Sequence, residues 1–396
     1  MISAAALIFL YLLPIPLGLL CWRLYLLYIR SYHINTLEWT LLEIKAPREI
    51  FKSPQAMEVV LMALHQPSEG SLIDKYVNGR LRAWFSLEMV SLGGSVHFYI
   101  RTQTKFKNLI ESQIYSQYPG IEVHEVDDYT QFVPSYQSAT GGWSLWGVEY
   151  QLTKPDPYPI KTYVDYGLDK DPKEEFKIDP ITPIIEMLGS VGPGEQIWIQ
   201  IPLMATRERF KKDGTWNGWQ DWTEEGKKEI KKIMDKYAKK GAEGELISSE
   251  GSVPKSERDV IEAISRSITK PGFDCGVRMI YLAPADNYQS YNIARMTSSM
   301  KQFSAGGLNG FKPLKTTSFD YPWQDPWQTR VEAVKKKIFE AYRRRAYFFK
   351  PFYSKPMVLN TEEMATIFHF PGQVAETPTL GRIESKRGEP PVNLPI

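Results

Sequence analysis

The chain has 396 residues with 48 Lys/Arg against 46 Asp/Glu, so its net charge of +2 excludes polyanion binding driven by bulk electrostatics. With 43% hydrophobic and 13% aromatic residues it is not a disordered chain, and its length exceeds what one comfortable core holds. Its two cysteines, Cys21 and Cys275, leave the main body without an intrachain disulfide.

From Ile2 to Trp22 no side chain is charged. At about 1.5 Å per residue the run reaches about 31 Å as a helix, enough to cross bilayer hydrocarbon. Arg23 and Arg30 follow it, with Trp22, Tyr25, Tyr28 and Tyr32 at the lipid boundary. The expectation is a single-pass anchor in the inner (cytoplasmic) membrane, with residues 2–29 in contact with the bilayer and the body held in the cytoplasm.

The stretch Trp39–Ile44 alternates as a strand, and a helix follows Ser53-Pro54. Trp84–Leu92 and Ser95–Arg101 alternate on either side of Gly93-Gly94, the signature of a hairpin. A helix from Thr104 ends at Tyr118-Pro119-Gly120, and Ile121–Val126 returns as a strand. This βαββαβ order is that of a ferredoxin-like plait. It recurs with strands at Trp143–Leu152, Glu195–Ala205, Phe273–Ala283 and Leu308–Lys315 and helices at Asp179–Leu188 and Asn287–Phe303. Two further helices, Thr223–Lys240 (capped by Thr223) and Pro254–Ile268, interrupt the second copy.

The fold class is therefore α+β: an N-terminal transmembrane helix, two tandem ferredoxin-like plaits, the second with a helical insertion, and a C-terminal helical and extended tail. The boundaries are 1–34 for the anchor, 35–132 and 140–320 for the plaits, 206–270 for the insertion and 321–396 for the tail. In that tail a long helix is expected over Asp325–Lys350, with Val331, Val334, Ile338 and Tyr342 on its apolar stripe. A short helix follows at Thr361–Phe368.

No catalytic or cofactor motif is present. The glycine clusters Gly189–Gly194 and Gly306–Gly310 lack the Lys-Ser/Thr of a phosphate loop, and there is no HExxH, CxxC or G-x-S-x-G. His97, His124 and Glu122 sit on neighbouring strands, but nothing in their spacing fixes a metal site. No enzyme activity, cofactor or metal is expected. Between Arg330 and Lys350 there are eight Lys/Arg and two Glu, a local net of 8 − 2 = +6. Lys335, Lys336, Lys337, Arg343, Arg344 and Arg345 are candidates for contact with a polyanion such as DNA, or with a protein partner. The bland alternative is a solvated helix docked by its apolar stripe. Trp216, Trp219 and Trp222 lie in one Gly-containing loop and either fold back on the insertion or meet a partner or the lipid interface.

Trp84–Ile100, Leu109–Pro119 and Glu122–Thr130 resemble in wording the N-terminal, non-motor region of membrane-bound type IV secretion and conjugation coupling proteins of bacteria. Lys45–Ile50, Lys52–Glu58 and Val358–Pro371 are similar to further stretches of that region. The resemblance implies a noncatalytic, membrane-anchored component of a DNA-transfer apparatus that docks or positions a motor ATPase carried outside these residues. Homo-oligomerisation is compatible with it. The alternative is a membrane-tethered nucleic-acid-binding module acting through the basic helix.

Overall fold

The computed structural model describes residues 13–47, 52–133, 142–170, 178–208, 210–211, 218–237, 239–240, 246–247, 253–318, 323, 325–327 and 329–371. The helices are α1 (Pro14–Thr36), α2 (Gln55–Leu64), α3 (Leu72–Tyr76), α4 (Lys107–Gln117), α5 (Thr182–Gly189), α6 (Trp222–Lys236), α7 (Lys255–Ile268), α8 (Tyr291–Ser298), α9 (Thr329–Arg343) and α10 (Thr361–Ile367). The main sheet contains β1 (Trp39–Lys45), β2 (Trp84–Leu92), β3 (Ser95–Gln103), β4 (Glu122–Val126), β5 (Trp143–Leu152) and β6 (Gln196–Ala205). Two-residue strands β7 (Phe210–Lys211) and β8 (Trp219–Gln220) pair with each other, as do β9 (Lys239–Lys240) and β10 (Leu246–Ile247). The main sheet is completed by β11 (Gly272–Cys275), β12 (Val277–Pro284), β13 (Phe311–Thr316) and β14 (Met357–Asn360).

Ten strands form this sheet, in the order β13-β5-β12-β6-β2-β3-β1-β4, with β11 pairing β6 and β14. All its described pairings are antiparallel. This corrects the expectation of a transmembrane helix followed by two ferredoxin-like plaits. The two halves merge along β2 and β6, which stay in register from Trp84↔Met204 to Leu92↔Gln196. Apolar alternation on both strands makes the pairing continuous, because neither strand ends in a charged or bulged edge that would stop it.

Side-chain alternation divides the core into two. Phe85, Leu87 and Met89 of β2, with Val277, Met279 and Tyr281 of β12, enter the larger core, which α2, α4, α5, α8 and α10 cover. Their neighbours Val90, Ile280 and Leu282 point to the opposite face, where Ile338, Phe339 and Tyr342 of α9 meet them. This two-residue period is what a sheet with both faces buried requires.

The single-pass membrane anchor is also corrected: among the described residues no helix is long and apolar enough to cross a membrane. Helix α1 is long, but its described uncharged part runs only from Pro14 to Trp22, about 13 Å of rise, before Arg23 and Arg30. Residues 2–12 of the expected span lie outside the described residues. With no such helix among the described residues, the placement of the body in the cytoplasm has no support. Helix α1 meets the body near its C-terminal end. Ile29 is its buried residue, and the chain passes so close that a Cβ on Gly79 (φ +67°) would lie 2.4 Å from the Ile29 carbonyl oxygen.

The basic helix is shorter than its pattern suggests. Asp325 accepts from the Val331 N–H at 2.7 Å at its start, and it ends at Arg343 because Arg345 takes a left-handed backbone (φ +48°). Helix α6 is capped by Asp221, whose carboxylate accepts from the Trp222 N–H, rather than by Thr223.

Candidate functional site

Single charged residues interrupt three otherwise uncharged central strands, Glu149 in β5, Glu88 in β2 and Arg278 in β12, and Gln200 lies midway along β6 between them. Strand register aligns them. Across the sheet the facing residues run Lys315, Glu149, Arg278, Gln200, Glu88, Tyr99, Glu43, His124, one from each of eight successive strands. Because side chains alternate, the whole row stands on one face, the face that α9 covers.

The row is hydrogen-bonded through its centre. Arg278 donates from Nε and Nη2 to Glu149 Oε1 at 3.0 and 2.8 Å, and from Nη1 to Gln200 Oε1 at 3.1 Å. Gln200 Nε2 donates to Glu88 Oε1 at 3.3 Å and to the Tyr342 carbonyl at 3.1 Å. Arg345 reaches down from the end of α9 and grips Glu88 with two bonds, at 2.9 and 3.1 Å, while also bonding Asp128. The Tyr129 hydroxyl donates to Glu88 Oε2 at 2.7 Å and lies 2.8 Å from the Tyr342 hydroxyl. Ser354 closes the other end, donating to Glu149 Oε2 at 2.7 Å.

Burial by itself would raise the Glu88 carboxyl. The Arg345 guanidinium, with hydrogen bonds from Arg345, Ser86 and Tyr129, outweighs that and holds it below the usual carboxylate range. Glu149 behaves alike: burial pushes it up, and Arg278 and Ser354 bring it down further. Burial drives the Tyr129 and Tyr342 hydroxyls well above a normal phenol. Arg101, half-buried and near the Arg345 charge, is lowered to about 10, chiefly by desolvation. Both arginines and both glutamates are held in formal ion pairs and almost wholly shut from solvent. Such pairs cost desolvation and contribute specificity of packing more than net stability. Here they fix α9 and the following segment over one place on the sheet.

A second polar cluster lies on the other side of the sheet. Lys270 Nζ donates to Glu58 Oε1 at 2.8 Å and pairs with Glu362 Oε2 at 2.9 Å, while Tyr163 and Thr361 bond the Glu58 carboxylate at 2.8 and 3.0 Å. Next to it Glu363 completes the capping box of α10 with Asn360 and accepts from the Ile160 N–H at 2.9 Å. Burial dominates at this carboxyl, and with Glu362 and Asp156 nearby it is pushed up to about 8 despite the two backbone donors.

The expected contact residues scatter. Lys336 and Lys337 are exposed on α9. Lys335 is half-buried and pairs with Glu332 at 3.1 Å, and Arg343 and Arg344 lie 3.8 and 3.6 Å from Glu340. Arg345 is only 1% exposed, so it is an internal clamp and not a polyanion contact. Trp222 is buried, Trp219 is 56% exposed, and Trp216 lies outside the described residues. His97 meets Glu43 at 2.7 Å and His124 meets Glu122 at 2.9 Å. The cross-sheet row escaped sequence reasoning, although Glu88, Glu149 and Arg278 are each the one charged residue of their strand.

A family model described as a domain of unknown function (DUF8128) matches residues 32–382, nearly the whole chain, and the protein belongs to that family. No curated protein matches the sequence.

Proposed function

We propose that this DUF8128 chain is a noncatalytic docking subunit that presents helix α1 to a partner protein in a larger assembly. One observation carries the reading. Leu13, Ile15, Leu17, Leu19, Leu20, Trp22, Leu24 and Leu27 are each 43–62% exposed on one projecting segment. Contiguous apolar surface of this kind marks an interaction site. The rest of the chain supports a scaffold role, because the pairs Arg278–Glu149, Arg345–Glu88 and Lys270–Glu362 are internal and brace α9 and α10. The resemblance at Trp84–Thr130 makes a motor ATPase of the secretion or DNA-transfer class the partner to test first.

The purified full chain is expected to show no ATP turnover. Co-expressed with a candidate motor ATPase, it should co-elute, and the variant carrying Leu17→Asp and Leu20→Asp should not, with melting temperature unchanged. ATP hydrolysis that follows the protein through successive columns would overturn the noncatalytic part. Partition of α1 into lipid vesicles with no protein partner would overturn the docking part.

A further inference from the structure

Beyond α9 the chain folds into a compact loop whose chemistry the docking reading does not use. The Ser354 N–H donates to the Tyr347 carbonyl at 2.9 Å and the Tyr347 hydroxyl to the Lys355 carbonyl at 3.3 Å, closing residues 347–354 on themselves. The loop is held from beneath by the charged row. Ser354 bonds Glu149, Arg278 Nη2 donates to the Ala346 carbonyl at 3.3 Å, and the Tyr347 ring fills the space left by Gly276, where a Cβ would lie 2.2 Å away. Its shape is therefore set before any ligand arrives.

From Ala341 to Pro356 there is no acidic residue. Arg344, Lys350 and Lys355 face solvent, and Lys315 of the edge strand β13 joins them by bonding Ser354 at 3.0 Å. Lys350 and Lys355 make no ion pair with any described residue, and the Arg344 pair with Glu340 is a loose 3.6 Å contact. Two aromatic rings lie among these cations. The Arg344 guanidinium sits 5.8 Å over Phe352, and Tyr353 is 54% exposed.

We propose that this loop binds single-stranded nucleic acid, with Arg344, Lys350, Lys355 and Lys315 meeting backbone phosphates and the exposed Tyr353 ring offering a face for base stacking beside the Arg344–Phe352 pair. Cations interleaved with open aromatic faces suit unpaired bases, which stack on any flat ring whatever their identity. A duplex hides those faces, and an acidic peptide has no use for them. Pre-set loop geometry removes an ordering cost that a mobile basic tail would carry. The proposal does not rest on helix α1.

The test is fluorescence anisotropy of a labelled short oligothymidylate with the full chain. Four phosphate contacts at about −0.7 each give an expected log–log salt slope of about −3. Replacing Lys350→Glu and Lys355→Glu together should weaken binding at least about tenfold, and Tyr353→Leu by a similar factor through lost stacking. Both variants should melt like the parent, since these side chains are exposed. Absence of binding at low salt, or equal binding by the double variant, overturns the proposal. Competition by polyglutamate as effective as that by unlabelled oligothymidylate, or tighter binding of duplex, overturns the ligand class.

Discussion

Glu88 and Glu363 lie on opposite sides of the sheet, both fully buried, and their carboxyls move in opposite directions. Glu88 is desolvated but receives two bonds from one guanidinium, a third from Tyr129 and a fourth from Ser86. Glu363 is desolvated equally and receives only neutral backbone donors, with a second carboxylate, Glu362, beside it in the chain. At Glu363 two backbone donors do not outweigh burial and the neighbouring carboxylates, whereas at Glu88 a formal opposite charge in bidentate contact, with further side-chain donors, does. The α9 side is therefore a salt-bridged clamp, and the α10 side is a site where folding favours the protonated acid.

Breaking the clamp gives the largest expected effect. Arg345→Gln leaves Glu88 buried without its counter-charge and should cost about 3–5 kcal/mol in urea unfolding. Adding Glu88→Gln to that variant should restore part of the loss, since the stranded charge is then gone. A double variant no more stable than Arg345→Gln would show that Asp128 carries the pair instead.

The Glu363 side is sharpened by pH. Its folded pKa is raised to about 8 from an ordinary 4.5, so its contribution is complete below about pH 4.5 and is lost as pH rises through 8. Stability should therefore fall with rising pH across that window from this group. Glu363→Gln should abolish this component while losing about 1 kcal/mol at low pH, because the amide nitrogen cannot accept a backbone N–H. An unchanged pH profile in the variant would place the titration elsewhere. The smallest effect belongs to the exposed face of α9. Lys336→Gln with Lys337→Gln should change stability by less than about 0.5 kcal/mol, in contrast to Arg345→Gln a few residues on.

Much of the local structure was legible. Alternation located β1, β2, β3 and β5 closely, Gly93-Gly94 marked the hairpin, and the short helix expected at Thr361–Phe368 is α10. Alternation does not say which strands become neighbours, and for that reason the β2–β6 seam and the single ten-stranded sheet were missed. Helical periodicity failed at Arg343-Arg344-Arg345. It counts all three as surface cations, but a left-handed residue turns the last of them inward onto Glu88. The expected anchor is not met among the described residues, where the helix offers an uncharged stretch only from Pro14 to Trp22 before Arg23 and Arg30, which the sequence reading placed beyond the span, continue the same helix.

The sequence by itself determined most of the strands and helices and the local charge of the C-terminal region, since both depend on neighbours within a few residues. Tertiary structure decided which polar residues meet. Glu88 and Arg345 are 257 positions apart, and Arg278 and Glu149 are 129 apart. Their pairing depends on strand order and register, which arise only when the whole sheet closes on its helices. The same lone charges that look like defects in apolar strands become a satisfied row once register sets them side by side, because desolvation is tolerable only where an opposite charge is held within bonding distance.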